Sequence, residues 1–298
     1  MTIEFNCPKC NELIAFADKH AGKNAHCVTC KERFVIPSKS FEKAQIIKPP
    51  EEESVPVEGF YRAVFIDNWK LFIKPQNATG LVFVIAAVCF KFFTGHVDYS
   101  FQMGGFRTPG YLGQIITLLC WGCLFWYYME MIRDTALDFD ELPDVYMGGL
   151  FGFIWNTAKS LYIFSMVFFA VEIPTIISIF IFGGINFISI ILSMVGFCLF
   201  PVAILTISVV GDITSILEPA NILKPVKKAF WPYFTVAALF VLTCQLEIMN
   251  VEYGSLIGSS KLVIGLNLLA NIAIQMLAVF TMRSIGLFYR HYGCYFKW

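Results

Sequence analysis

The chain has 298 residues, of which 57% are hydrophobic and only 15% are charged. Soluble domains carry about 25% charged residues, so this composition and a mean hydropathy of +0.66 exclude an ordinary soluble globular protein and indicate membrane helices. Lysine plus arginine (22) equal aspartate plus glutamate (22), so the formal net charge is zero and the bulk charge argues against a nucleic-acid partner.

Two CxxC pairs open the chain: Cys7 with Cys10 and, after sixteen intervening residues, Cys27 with Cys30. Tetrahedral zinc takes four thiolates at about 2.3 Å, and each CxxC turn directs two sulfurs toward one point. The spacing therefore predicts one structural Zn(II) ion bound by these four cysteines, in a closed site with no open position for catalysis. Because thiolate ligands need a reducing compartment, we expect the N-terminus to lie in a cytosol.

The segment around the cysteines holds few large apolar residues, so the metal must supply most of its folding free energy, on the order of ten kcal/mol. His20 and His26 are alternative ligands that four cysteines make unnecessary. The stretch EFNCPKCNELIAFADKHAGKNAHCVTCKERFVIP resembles the small zinc ribbons found at the N-termini of many bacterial proteins. This resemblance implies a β-hairpin zinc ribbon over residues 1–37 that acts as an interaction module, and it brings no catalytic residues.

A proline pair, an acidic triplet and little apolar content predict a flexible linker over residues 38–58. A helical transmembrane domain with interfacial helices is predicted to follow over residues 59–298. Its first segment places Tyr61, Phe65 and Trp69 at helical spacing. Such an aromatic face predicts a helix that lies in the membrane interface rather than across the bilayer.

Six apolar stretches of membrane-spanning length follow. They cover roughly residues 77–94, 112–132, 160–182, 186–210, 229–249 and 262–282. The predicted fold class is therefore mainly α, a polytopic bundle of about six transmembrane helices preceded by the zinc ribbon. An alternative begins a span near residue 147 and makes three passes by residue 210. Lys159 near the middle of such a span argues against it.

The distribution of lysine and arginine predicts that both termini are cytosolic. Beyond the linker, eleven basic residues fall on the N-terminal side of the six-span arrangement: Arg62, Lys70, Lys74, Arg133, Lys159, Lys224, Lys227, Lys228, Arg283, Arg290 and Lys297. Three fall on the opposite side: Lys91, Arg107 and Lys261.

Three stretches of the membrane part carry a second resemblance: ALDFDELPD, FPVAILTISVVGDITSILEPANILKPVKKAFWPYF and MRSIGLFYRHY. Over about residues 110–292 they resemble an uncharacterised family of bacterial multi-pass proteins. The resemblance implies a multi-pass protein of the cell inner membrane. No established activity comes with that family.

Polar residues inside the predicted spans are candidates for an intramembrane site. Asn267, Asn271 and Gln275 lie at i, i+4 and i+8, so they share one face of the last span. Glu172 lies two residues before Pro174 in the third span, at a depth similar to that of Asn271. Together they predict a substrate or proton site. The alternative is that the amides only form interhelical hydrogen bonds, each contributing about 0.6 kcal/mol.

The loop DFDELPD gathers four carboxylates on the predicted cytosolic side: Asp138, Asp140, Glu141 and Asp144. Such a cluster is a candidate site for a hard cation such as Mg(II), although acidic loops also serve solubility. Gln245 and Glu247 are predicted to lie at the outer membrane interface. Cys120 and Cys123 form a further CxxC inside a span, which small-residue helix packing explains.

The sequence contains no Gly-rich phosphate loop, HExxH or GxSxG motif, which favours a non-enzymatic protein. The leading hypothesis is an inner-membrane scaffold or regulator that presents its zinc ribbon to a cytosolic protein partner. The alternative is a small-molecule or ion transporter that uses Glu172 and the amide face of Asn267, Asn271 and Gln275, with the ribbon as a regulatory appendage. The lipid bilayer is the remaining partner, and no small-molecule ligand is identified.

Overall fold

The structure, a computed structural model of the full chain, describes residues 2–10, 12–27, 33–37, 45–46, 55–95, 101–103, 106–108, 112–145, 149–212, 214–215, 218–250 and 260–296. These residues form a small strand-containing unit followed by a helical bundle. The mainly α fold class predicted from the sequence is confirmed.

The N-terminal unit contains two small antiparallel sheets. Their strands are β1 (Thr2–Asn6) paired with β2 (Leu13–Ala17), and β3 (Asn24–His26), β4 (Arg33–Val35) and β5 (Gln45–Ile46) in that order. Phe5, Phe16 and Phe34 pack their rings together between the sheets and supply most of the apolar core. Strand β5 lies inside the segment that the composition assigns to the linker, so the sheet extends past residue 37.

The bundle begins with irregular helical turns over residues 60–77 and continues with long helices. The helices are α1 (Phe60–Arg62), α2 (Ala78–Gly95), α3 (Leu112–Ala136), α4 (Gly149–Phe182), α5 (Phe187–Val210), α6 (Pro219–Lys228), α7 (Phe230–Asn250) and α8 (Lys261–Tyr292). A short hairpin of β6 (Phe101–Met103) and β7 (Phe106–Thr108) lies between α2 and α3.

Six helices within the described residues are long and apolar enough to cross a membrane: α2, α3, α4, α5, α7 and α8. The predicted number of spans is therefore confirmed, and the three-pass alternative for the region up to residue 210 is wrong. Helix α4 begins at Gly149 instead of residue 160 and contains 34 residues. At 1.5 Å per residue it is about 51 Å long, so its first turns extend beyond a hydrocarbon core of about 30 Å.

Helices α3 and α8 form the centre of the bundle. Helix α3 approaches its neighbour α4 closely at small residues. A Cβ atom at Gly122 would lie 2.5 Å from Thr157 Cγ2 and 2.8 Å from the Thr157 backbone oxygen, so α3 and α4 nearly touch there. Ser160 donates a hydrogen bond to the Gly122 carbonyl at 2.6 Å, and the Cys123 and Thr157 side chains are 3.5 Å apart. The CxxC of α3 therefore serves helix packing.

Large apolar side chains cover the outer surface of the bundle. Phe151, Phe180 and Phe187 are all more than three-quarters exposed. A soluble protein rarely exposes so large an apolar surface, whereas lipid accommodates it. The outer face thus agrees with a multi-pass membrane protein.

The chain before α2 is held against the end of α8. Buried Asn68 donates hydrogen bonds to the Phe280 carbonyl at 3.0 Å and to Ser284 Oγ at 3.2 Å. The Val57 amide donates to the His291 carbonyl at 2.9 Å. The C-terminal half of α8 therefore organises both the interfacial turns and the last residues of the predicted linker.

Candidate functional site

Three of the four predicted zinc ligands lie together. Cys7 and Cys10 flank the turn between β1 and β2, and Cys27 follows β3 directly; Cys30 lies outside the described residues. The three sulfur atoms lie within 4.8 Å of one another, and those of Cys10 and Cys27 are 3.5 Å apart. That separation is too long for a disulfide, whose sulfurs are about 2.05 Å apart.

The cluster fits a tetrahedral thiolate-bound metal. Four sulfurs at about 2.3 Å from one zinc ion are about 3.8 Å from each other, close to the observed spacing. Cys7 and Cys27 are buried against the ribbon core, while Cys10 is exposed. A metal ion bound by these thiolates would hold the two sheets together.

The ribbon is docked on the acidic loop that joins α3 to α4. Lys19 forms an ion pair with Asp144, and Lys23 Nζ lies 3.3 Å from Glu141 Oε1. The His20 ring meets Phe139 edge-on, with the ring centroids 5.9 Å apart. Burial lowers the pKa of His20, and the charges of Lys23 and Lys19 lower it further. His20 thus belongs to this docking surface.

The other side of the acidic loop binds arginines of α8. Arg290 contacts Asp138 Oδ1 at 2.6 Å and Asp140 Oδ1 at 2.7 Å, and Arg283 lies 3.6 Å from Asp140. Burial raises the pKa of Asp140, but the hydrogen bond and charge of Arg290 outweigh it, so the pKa of Asp140 is below its ordinary value.

All four carboxylates that the sequence offers as a cation site are thus used in ion pairs with the chain's own cations. Asp144 and Glu141 bind the ribbon, whereas Asp138 and Asp140 bind α8. The acidic loop therefore connects the ribbon to the membrane bundle through charge.

The amides of α8 lie on one face and pair in two groups. Asn271 donates to the backbone and side-chain oxygens of Asn267, both at 3.0 Å, and Asn267 donates to Asn250 Oδ1 on α7 at 3.4 Å. Gln275 donates to Glu247 Oε2 on α7 at 2.8 Å and accepts a hydrogen bond from the Tyr128 hydroxyl on α3. The amide stripe thus joins α8 to its neighbours.

Glu172 lies between α4 and α5 and contacts neither group of amides. It is buried and accepts a hydrogen bond from Ser193 Oγ at 3.3 Å. A Cβ atom at Gly196 of α5 would lie 2.9 Å from Glu172 Oε1, so the two helices enclose the carboxylate. The four polar residues predicted to form one site are therefore distributed over two places in the bundle.

A buried ion pair between α2 and α7 is the feature that the sequence analysis missed. Lys91 Nζ lies 2.6 Å from Glu247 Oε1 and 4.1 Å from the centre of the Trp121 ring. The Lys91 side chain is 0% exposed and that of Glu247 is 13% exposed. The sequence places Lys91 among the outer charges and Glu247 at the outer interface; both lie near the C-terminal ends of α2 and α7, but their side chains pair with each other inside the bundle. In the sequence, Lys91 and Glu247 are each an isolated charged residue within an apolar stretch, and this pattern could have indicated a buried pair.

This pair belongs to a network that joins four helices: Lys91 on α2, Tyr128 on α3, Glu247 on α7 and Gln275 on α8. Glu247 accepts one hydrogen bond at each carboxylate oxygen. Beside it lies a cavity of about 400 Å³, lined mainly by aromatic rings, whose polar side is formed by Glu247, Gln275 and Tyr128. The arrangement combines a buried charge pair with space for a small molecule.

Comparison of the chain with family models, with curated proteins and with solved structures finds no match. The two resemblances drawn from the sequence motifs therefore stay predictions. What stands independently of them is the triad of cysteines near the N-terminus and the six apolar helices.

Proposed function

We propose that this chain is a multi-pass protein of the cell inner membrane in which a cytosolic zinc ribbon acts as a regulatory interaction module for a cytosolic protein. The protein is a non-enzymatic scaffold or regulator. The observation that carries the proposal is the docking of the ribbon through Lys19 and Lys23 onto the acidic loop, which also binds the arginines of α8.

The metal part of the proposal is one structural Zn(II) bound by Cys7, Cys10, Cys27 and Cys30. The observed thiol cluster supports three of these ligands, and the CxxC spacing adds the fourth. A set of four thiolates saturates zinc, so the ribbon has a structural and recognition role.

The basic residues support cytosolic termini. Lys91 is paired inside the bundle and no longer counts as a loop charge. By the same criterion Arg283, whose side chain is 9% exposed and lies 3.6 Å from Asp140, is also left out. Arg107 and Lys261 then remain on the side opposite the N-terminus, against ten basic residues on its own side. The asymmetry therefore favours the same orientation more strongly than the simple count did.

The ribbon contacts are of the kind that a partner can displace. The side chains of Lys19 and Asp144 are 49% and 57% exposed, and those of Lys23 and Glu141 are 32% and 31% exposed. Solvent-exposed ion pairs contribute about 0–1 kcal/mol each. A protein that binds the ribbon more tightly than this would release it from the acidic loop and free the loop carboxylates.

The docking is tested with the full-length chain in lipid nanodiscs. Glu141→Gln combined with Asp144→Asn should accelerate amide hydrogen exchange in residues 13–26 while zinc content stays unchanged. Asp138→Asn is the matched control, because Asp138 pairs with Arg290 and not with the ribbon. Equal exchange in wild type and the double variant would contradict docking through these pairs.

The partner is tested in native membranes by comparing proteins captured with wild type and with Cys27→Ser at matched membrane abundance. Cytosolic proteins that depend on an intact ribbon should be lost from the variant. An unchanged set of captured proteins would overturn the interaction-module proposal.

A small-molecule or ion transporter is the second candidate function. The buried pair of Lys91 and Glu247 favours it, because charges inside spans are costly and commonly mark substrate or proton pathways. Glu172 and the amide face of α8 would then have secondary roles. Substrate-dependent uptake into proteoliposomes should be lost in the Lys91→Met, Glu247→Gln double variant, and uptake at the wild-type rate would exclude this use of the pair.

A further inference from the structure

The cavity beside Glu247 has the form of a small-molecule site within the bundle. Its volume of about 400 Å³ falls in the roughly 300–1,000 Å³ range of ligand pockets. Five helices contribute to its wall: α3, α4, α5, α7 and α8. The rings of Phe125 and Phe164 stack on each other, as do those of Phe200 and Phe240, and Phe164 contacts Phe200 at a centroid distance of 5.8 Å. The four rings therefore form one continuous aromatic wall of the cavity, against which a flat apolar body can pack.

The polar side of the cavity offers hydrogen-bond acceptors. Glu247 uses one lone pair of each oxygen to accept from Lys91 and Gln275, and an ionised carboxylate has about four such sites. The Tyr128 hydroxyl donates to Gln275, so its own oxygen is also left as an acceptor. A ligand that satisfies these atoms must carry a hydrogen-bond donor.

The net charge of the cavity's polar side determines which hydrogen-bond donors, cationic or uncharged, it favours. Lys91 neutralises Glu247, so the polar side of the cavity has no net charge. Lys91 does not line the cavity, but it pairs with Glu247, so a cationic ligand bound to this carboxylate would be near a second positive charge in a medium of low dielectric constant, where like charges repel strongly. An uncharged donor such as a hydroxyl meets no such repulsion.

The cavity is accessible from the lipid phase. Ser165, Phe168 and Phe169 of α4 line it and are exposed on the outer face of the bundle. Most of the lining is aromatic, so a molecule that already partitions into the bilayer can enter between helices without passing through water.

We infer that this cavity binds an uncharged, lipid-soluble molecule that has a ring-sized apolar body and a hydroxyl group that donates a hydrogen bond to Glu247. The site requires neither the zinc ribbon nor net transport. It therefore goes beyond the interaction-module proposal and stands or falls separately from it.

The test uses the full-length chain in phosphatidylcholine nanodiscs and a 4-butylphenol that carries a photoreactive diazirine on its alkyl chain. Photolabelled peptides are mapped by mass spectrometry, and unlabelled compounds compete for the site. We expect saturable labelling of α4, α5 and α7. Competition by 4-butylphenol should be at least about tenfold stronger than by butylbenzene, because a hydrogen bond to a charged group is worth about one order of magnitude or more.

A variant at the mouth of the cavity gives the matched comparison. Ser165→Phe places a ring in the entrance at an exposed position and should reduce saturable labelling at least about fivefold, since the route from the lipid is closed. Met166→Phe adds a ring at the neighbouring lipid-facing residue, which does not line the cavity, and should leave labelling unchanged.

Three results would overturn the inference. Equal competition by butylbenzene would mean that the hydroxyl is not recognised. Stronger competition by phenyltrimethylammonium would show that the site selects cations. Labelling that never saturates would show that the probe samples only the lipid-facing surface. The competition experiment needs only the wild-type chain, so the inference remains testable whatever Ser165→Phe does to folding.

Discussion

Removing the Lys91 charge should show how strongly the protein's stability depends on the buried ion pair. Lys91→Met keeps much of the side-chain volume but leaves the Glu247 carboxylate without its cation in a site where Lys91 is 0% exposed. Breaking a buried pair from one side costs about 3–5 kcal/mol, because an uncompensated charge is left behind. Glu247→Gln should also be destabilising, because it leaves the buried Lys91 ammonium without its carboxylate partner.

The double variant measures the interaction energy between Lys91 and Glu247 separately from the effect of each single substitution. With Lys91→Met and Glu247→Gln together no charge remains buried, and the introduced glutamine amide can still bond to Gln275, so the total loss should be only about 1–2 kcal/mol. The two single losses then exceed the double loss, giving a coupling energy of at least about 2 kcal/mol.

The assay is unfolding of the purified chain in mixed micelles with increasing SDS, followed by far-UV circular dichroism. Lys70→Met is the matched control: its ion pair with Asp67 at 2.5 Å is solvent-exposed, so the unfolding midpoint should not move. Additive single losses, with a coupling energy below about 0.5 kcal/mol, would refute the inference that the pair is desolvated.

Gly122→Ala should destabilise the bundle by about 1–3 kcal/mol in the same assay through overpacking against α4, whereas Gly265→Ala, with open space around it, should be neutral or slightly stabilising. Metal analysis should find about one zinc per wild-type chain and almost none in Cys27→Ser, whose ribbon amides should exchange at unfolded rates. Because Arg290 holds the pKa of Asp140 below its ordinary value, the stability due to this pair is complete above about pH 4 and is lost as pH falls through the lower folded pKa. The loss of stability on acidification from pH 4 to pH 2 should therefore be smaller in Asp140→Asn, and identical pH profiles would contradict this linkage.

The number and approximate position of the spans could be predicted because the mean hydropathy of about twenty residues is little changed by one or two polar residues within a span. The start of α4 could not, because its first turns around Trp155 and Lys159 mix apolar and polar residues. The membrane-length criterion recognises only the apolar part of the helix. Helical hydrogen bonding continues outward past the hydrocarbon boundary, so the helix is longer than its apolar run.

The site was less predictable because its chemistry depends on contacts between distant helices. The cysteine spacing predicts the thiol cluster because a CxxC turn brings its own two sulfurs together locally, and packing of the two small sheets adds Cys27 to Cys7 and Cys10. By contrast, 156 residues separate Lys91 from Glu247, and the packing of α2 and α7 against α8 brings them together. The shared face of Asn271 and Gln275 followed from helical periodicity, but periodicity does not identify which neighbour that face meets.

Helix α8 is the physical connection between the two sites. Gln275 lines the cavity, and Arg290 binds the acidic loop about 22 Å further along the same helix axis. Displacement of the ribbon would alter the charges around Arg290, yet a shared helix transmits this change only if it has two alternative positions. Photolabelling of the cavity in the Cys27→Ser variant tests whether α8 has two such positions. An altered affinity for 4-butylphenol means that the ribbon biases the position of α8, whereas an unchanged affinity means that a rigid α8 carries two independent sites.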